Sequence, residues 1–123
     1  MIIDANVFLR YILDDSEKQS QIAADIIDNN EIHLPNEVLA EIVYVLEKVY
    51  KVQRKTIKKI FFDFLDKYKI TVSNPELIKQ TLNKYSTTKL DFIDCVLFGY
   101  SKVENEKIIT FDKDLIKELE KNK

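Results

Sequence analysis

The chain has 123 residues, 46% of them hydrophobic and 33% charged, which supplies one packed core, so a single domain over residues 1–123 is expected. Its 19 basic and 21 acidic residues leave a net charge of -2, which excludes attraction of nucleic acid by the molecule as a whole and confines any phosphate-binding surface to a local patch. One cysteine (Cys95), one histidine (His33) and one glycine (Gly99) exclude an internal disulfide, a structural zinc site, histidine-pair chemistry and Gly-rich phosphate loops. The Met-Ile-Ile-Asp start lacks a secretion-signal pattern, and the apolar-leaning run Cys95–Tyr100 is far short of the ~20 residues of a membrane span. A cytoplasmic location without membrane contact is expected.

Along the chain, short β-branched runs alternate with helical patterns: Ile2-Ile3, Glu31 to Leu34, Ile70 to Val72 and Lys107 to Phe111 each lead into a helix-like segment. This alternation predicts an α/β fold with a parallel sheet. The first helix carries Val7, Phe8, Tyr11 and Ile12. The second carries Ile22, Ala23, Ile26 and Ile27, and Asn29-Asn30 ends it. Pro35-Asn36-Glu37 opens a third helix with a broad apolar face of Val38, Leu39, Ile42, Val43, Leu46, Val49 and Tyr50. A fourth, from about Arg54 to Tyr68, turns Ile57, Ile60, Phe61, Phe64, Leu65 and Tyr68 inward, with Phe62 off the stripe and free for an interface. Asn74-Pro75 and Ser86-Thr87-Thr88 are breakers. A helix apolar on nearly every side runs from Asp91 to about Val103, and a short terminal helix is built on Leu115, Ile116 and Leu119. The last three residues are expected to fray. His33, in the second strand, reads as a packed or edge residue.

Ligands of parallel α/β domains gather outside the carboxyl ends of the strands. Asp4 directly follows the first run and Asp112 the fourth, so both leave the same edge if those strands are neighbours. Each also fits as a helix N-cap, a role that occupies one carboxylate oxygen and leaves the other for a ligand. Glu41 falls at the margin of the third helix's apolar arc, within reach of either a cleft or water. Asp94 sits one turn into its helix with Leu97 and Phe98 at i+3 and i+4, so its charge is incompletely hydrated; the structural alternative is a capping arrangement with Asp91. Two carboxylates about 4 Å apart repel by roughly 4 kcal/mol at an effective dielectric of 20, so four on one rim need a cation. With oxygen donors alone, Mg²⁺ or Mn²⁺ is the natural choice.

Ile2-Ile3-Asp4-Ala5-Asn6-Val7, Glu41, Asp91-Phe92-Ile93-Asp94 and Thr110-Phe111-Asp112-Lys113-Asp114, in this order and spacing, resemble the PIN-domain family over essentially the whole chain. The small size resembles the VapC-type toxin ribonucleases most. The resemblance implies a three-layer sandwich, a mainly parallel four- to five-stranded sheet flanked by helices. It also implies Mg²⁺- or Mn²⁺-dependent cleavage of RNA, and often a homodimer held by an antitoxin protein. By position, Asp4, Glu41, Asp94 and Asp112 match the acidic catalytic and metal site, and Asn6 matches a small polar position that orders the first acid and its waters. Asp91 and Asp94 both stand where the third acid falls. We take Asp94 for its spacing to Asp112 and its apolar successors, leaving Asp91 to cap or to assist through water, and Thr110 and Asp114 as supporting residues.

An acidic protein must still hold an anionic substrate. Lys48, Lys51, Arg54, Lys55, Lys58 and Lys59 follow one another without an acid between them, and with Arg10 they form a candidate phosphate-binding strip, the plain alternative being a solvated helix face. An apolar groove beside the third and fourth helices is a seat for a partner segment. Two rival readings stand beside the nuclease. One is a non-catalytic module of the same fold whose acids serve as caps. The other is a receiver-like Mg²⁺-binding signalling domain, which lacks its acceptor Asp because the third strand ends Val72-Ser73-Asn74.

Overall fold

The computed structural model describes residues 1–67 and 69–121. Tyr68, expected in the core, and the last two of the three residues expected to fray lie outside the described residues. Among the described residues there are seven helices: α1 (Ala5–Leu13), α2 (Glu17–Asp28), α3 (Asn36–Lys48), α4 (Arg54–Asp66), α5 (Pro75–Thr87), α6 (Phe92–Glu104) and α7 (Lys113–Glu120). Two short strands, β1 (Ile32–His33) and β2 (Ile70–Thr71), fall between them.

The strands are parallel, Ile32 opposite Ile70 and His33 opposite Thr71. A single parallel bridge joins Ile2 to His33, whose N–H donates to the Met1 carbonyl at 2.8 Å. The segments Met1–Ile3, β1 and β2 therefore lie side by side, and the turns into α1 and α3 leave from one edge. His33 is half-buried in the middle segment of the three, between Ile2 and Thr71, its Nδ1 at 2.9 Å from Thr71 Oγ1. The expected sheet of four to five strands is not formed among the described residues. In particular, residues 107–111 make no strand. Their β-branched composition is a local signal, whereas a strand needs a partner for its N–H and C=O groups. Here Ile109 is 78% exposed and Phe111 99% exposed, with nothing packed over that face.

Helices carry most of the core. Phe8 of α1 stacks on Phe61 of α4 with ring centroids 5.6 Å apart and leans on Phe64 at 5.1 Å, an arrangement the i, i+3 and i, i+4 spacing makes possible. Leu39, Ile42, Val43 and Leu46 of α3 are fully covered. Three residues assigned to apolar faces are instead exposed: Ile22, at the edge of the α2 stripe, and Val49 and Tyr50, which follow the end of α3. Phe62 is half-buried beneath the Lys58 ammonium, 5.3 Å from its ring centre.

Helices α5 and α6 approach most closely at the chain's one glycine. A Cβ on Gly99 would stand 2.6 Å from Thr81 Oγ1 and 3.2 Å from the Leu77 carbonyl oxygen, and that hydroxyl is itself buried and donates to the same carbonyl at 2.7 Å. Gly99→Ala should therefore lower stability by about 1–3 kcal/mol by overpacking, despite alanine's better helix propensity. Urea unfolding checks this, and Thr81→Ala in the same chain should recover part of the loss.

Candidate active site

Asp4 is the N-cap of α1. Its Oδ1 accepts from the Val7 N–H at 3.0 Å. Asp112 is the N-cap of α7, where Oδ1 accepts from the Leu115 N–H at 2.8 Å, while Thr110 Oγ1 accepts from the Asp112 N–H at 3.1 Å and pins its backbone. Both acids are exposed, and each keeps its second carboxylate oxygen clear of the cap. Thr110 thus supports Asp112 through its backbone, while exposed Asp114 sits in the first turn of α7. Asn6 is exposed in the first turn of α1.

The capping alternative for the third acid is not realised. Asp91 occupies the N-cap position of α6 without making a side-chain cap bond, and Asp94, three residues on, makes no bond back. Asp94 is half-buried. Burial first, then the negative charges of Asp112 and of Asp91, hold its carboxyl above the ordinary aspartate range. Asp112 and Asp91 therefore both act on Asp94, and among the described residues no Lys or Arg lies within ion-pair distance of any of the three. A carboxylate pushed toward protonation by burial and like charges, with one uncapped oxygen on Asp112 and no cap bond on Asp91, has the donor chemistry a hard cation requires.

Asp4 and Glu41 are not drawn into that group. The charges acting on Asp94 come from Asp112 and Asp91, Glu41 is exposed on α3, and no three His, Cys, Asp or Glu among the described residues stand close enough to hold a metal ion together. The reason lies in the fold. Asp112 follows residues 107–111, which form no ladder with Met1–Ile3, so no hydrogen-bonded register ties Asp112 to Asp4.

Two arginines of the candidate phosphate strip are engaged inside the fold. Arg54 donates through Nε to Glu47 Oε2 at 2.8 Å and through Nη1 to the carbonyls of Tyr85, Thr88 and Leu90 at 3.1, 3.0 and 2.6 Å, and its guanidinium lies 4.2 Å over the Tyr85 ring. Tyr85 Oη donates to Glu47 Oε1 at 2.7 Å. Burial alone would raise Glu47, but the bonds from Arg54 and Tyr85 outweigh it and hold the carboxyl below its ordinary range. Burial and the bond to Glu47 raise the Tyr85 phenol. Arg10 donates to Asp15 at 2.7 Å and to Tyr50 Oη at 3.2 Å. Lys48, Lys51 and Lys55 remain exposed and, among the described residues, without an ion pair. The Glu47–Arg54–Tyr85 network was missed in the sequence, although Glu47 stands four residues after Val43 and eight after Leu39, on the buried stripe of α3. Cys95 is buried, its thiol pushed up to about 12 by burial, and is chemically inert.

Aspartates at the starts of α6 and α7, in a helix-rich α/β chain, are the setting in which the comparisons with known proteins fall. The chain belongs to the PIN domain family, whose model matches residues 1–122, and the fold is thereby of the PIN-like α/β kind. A VapC ribonuclease from Aquifex aeolicus (strain VF5) is 27% identical to it over 99 residues, 77% of this chain and 73% of that protein. No solved structure matches. Membership of this family sets aside the receiver-domain reading.

Two outcomes test this geometry. The folded-state pKa of Asp94 is raised, so its contribution to stability is complete below the unfolded value near 3.9 and is lost as pH rises through the folded value. In chelator, Asp94→Asn should raise the melting temperature by about 1–3 °C at neutral pH and by nothing near pH 3. Arg54→Ala should cost about 2–4 kcal/mol, because it leaves Glu47 and three carbonyls without their donor. Glu47 is depressed in the fold, so its stabilisation exists above the unfolded glutamate value and disappears as pH falls through the folded one. Denaturation from pH 7 to 3 should therefore show a flatter acid limb in Arg54→Ala.

Proposed function

We propose that this chain is a divalent-metal-dependent endoribonuclease, acting in the cytoplasm as the toxin of a toxin–antitoxin pair. The observation that carries the reading is half-buried Asp94 under the charges of Asp112 and Asp91 at the starts of α6 and α7, with no Lys or Arg within ion-pair distance among the described residues. Family membership and the VapC ribonuclease relative support it. Asp94 and Asp112, with Asp4, would hold one or two Mg²⁺ or Mn²⁺ ions, and Glu41 would complete the shell or orient the attacking water. Such an ion, when bound, supplies a hydroxide near neutral pH and offsets charge on the phosphate oxygens. The chain's own residues prepare the place: Thr110 fixes the backbone of Asp112, and the caps at Asp4 and Asp112 fix one oxygen of each carboxylate and leave the other toward solvent. Exposed Lys48, Lys51 and Lys55 are available to RNA phosphates, with Arg10 and Arg54 serving chiefly the fold. A homodimer and an antitoxin segment complete the reading. A cavity of about 370 Å³ lined by Tyr11, Ile12, Ile60 and Phe64 together with Asp63, Lys67 and Lys69 offers the segment a seat beside α4, as expected, with α1 rather than α3 as its other wall.

A non-catalytic binding module is the second reading, favoured by the caps that Asp4 and Asp112 make and by the absence of a closed three-acid cluster among the described residues. Thermal unfolding of wild type and Asp4→Asn over a Mn²⁺ titration separates the two. Asparagine caps as well as aspartate, so without metal the variant should match wild type within about 0.5 kcal/mol. Wild type alone should gain about 2.7 kcal/mol at 100 times its dissociation constant, and RNA cleavage should be lost in the variant. Equal or absent shifts in both proteins favour the binding module.

A further inference from the structure

Phe111 is 99% exposed, the highest value among the exposed large hydrophobic residues, and it immediately precedes Asp112. Burial alternates along its segment: Ile108 and Thr110 are half-buried and line a cavity with α6 and α7, whereas Ile109 and Phe111 face water. The α7 cap and the bond from the Asp112 N–H to Thr110 anchor the backbone beside the ring, so the ring is presented from a fixed base. Asp112 in turn acts on Asp94, and Ile93, next to Asp94, is 59% exposed. An exposed aromatic thus sits one residue from the coupled acids.

We propose that Phe111 is a stacking platform for one base of a single-stranded RNA whose phosphate lies at the acidic group, an inference that rests on the nuclease reading above. The chemistry around the ring favours a base over a protein. Thr110, Asp112, Lys113 and Asp114 make its chain neighbours polar and Ile109 shares its water-facing side, so the apolar patch of this segment is two side chains, of which the ring alone offers a flat face for a nucleobase. A stable protein interface takes roughly 800 Å² per partner. The local charge is mixed, with exposed Lys107 and Lys113 set against Glu106, Asp112 and Asp114, so phosphate attraction alone is weak there. A ring face contact is uncharged, tolerates these acids and accepts any base.

The chain has no tryptophan, so Phe111→Trp places the single indole, excited selectively over the tyrosines, at the site. Titrating this variant in chelator with a single-stranded, adenine-rich RNA of about twelve nucleotides should quench its emission saturably. With Mn²⁺ present, Phe111→Ala should raise KM for a cleaved RNA by roughly 5- to 100-fold with kcat nearly unchanged, Phe111→Tyr should restore it and Phe111→Leu should not. Unchanged melting temperatures for all the variants confirm that the fold is intact. Wild-type cleavage with no quenching and no rise in KM overturns the stacking role while leaving the nuclease reading standing. Quenching by RNA with no cleavage by wild type upholds the stacking contact and overturns the nuclease reading instead. A fluorescence change that tracks protein concentration without RNA assigns the ring to contact between copies and overturns the proposal.

Discussion

The guanidinium of Arg54 is the joint on which the two halves of this chain meet. Standing at the start of α4, it holds the end of α3 through Glu47, the last turn of α5 through the Tyr85 carbonyl, and the lead into α6 through the carbonyls of Thr88 and Leu90. The Tyr85 and Thr88 carbonyls are among the acceptors a helix end leaves without intrahelical partners, the Leu90 carbonyl lies in the lead into α6, and a planar cation with donors in a fixed fork satisfies them together. Tyr85 closes the arrangement by donating to Glu47 while its ring lies under the guanidinium. The orientation of α6 is set in this way, and with it the positions of Asp91 and Asp94. A basic residue read as a surface contact is thus an internal fastening that supports the acids from behind.

The acids themselves divide by what their carboxylates already do. Asp4 and Asp112 each give one oxygen to a helix start, which fixes their direction without exhausting them. Asp91 and Asp94 give none, and Asp94 carries the electrostatic strain of burial and two like-charged neighbours. Capping and ligand binding are therefore compatible in the first pair, while in the second the capping explanation has no bond to rest on. Glu41 is exposed on α3, and its place in the proposed chemistry rests on the resemblance of the sequence motifs alone.

Much of the architecture was legible from local pattern. The 3.6-residue periodicities of α1, α3, α4 and α6 and the aspartate caps of α1 and α7 all follow from spacing and residue type, whereas Asn74-Pro75, read as a breaker, proves to open α5, with Asn74 accepting from the Leu77 N–H. The strand at residues 107–111 did not follow, because β propensity cannot say whether a partner edge is available. The burial of Arg54 did not follow either: a run of six basic residues without an acid reads as a solvated face until the acceptors from α3 and α5 are brought to one of its members. Val49 and Tyr50 continue the apolar arc of α3 in sequence, yet the helix ends at Lys48 and leaves both exposed.

The sequence by itself determined most of the helices and their order, the absence of thiol, imidazole and glycine-loop chemistry, and the oxygen-only character of the candidate site. Each of these rests on residue identity or on spacing within a few positions. Only the tertiary structure decided which acids share a field, which cations are engaged inside the fold, and that Phe111 stands in water beside Asp112. Asp94 and Asp112 stand 18 positions apart and Arg54 and Leu90 stand 36 apart, and whether such residues meet is set by how helices pack, not by local preference.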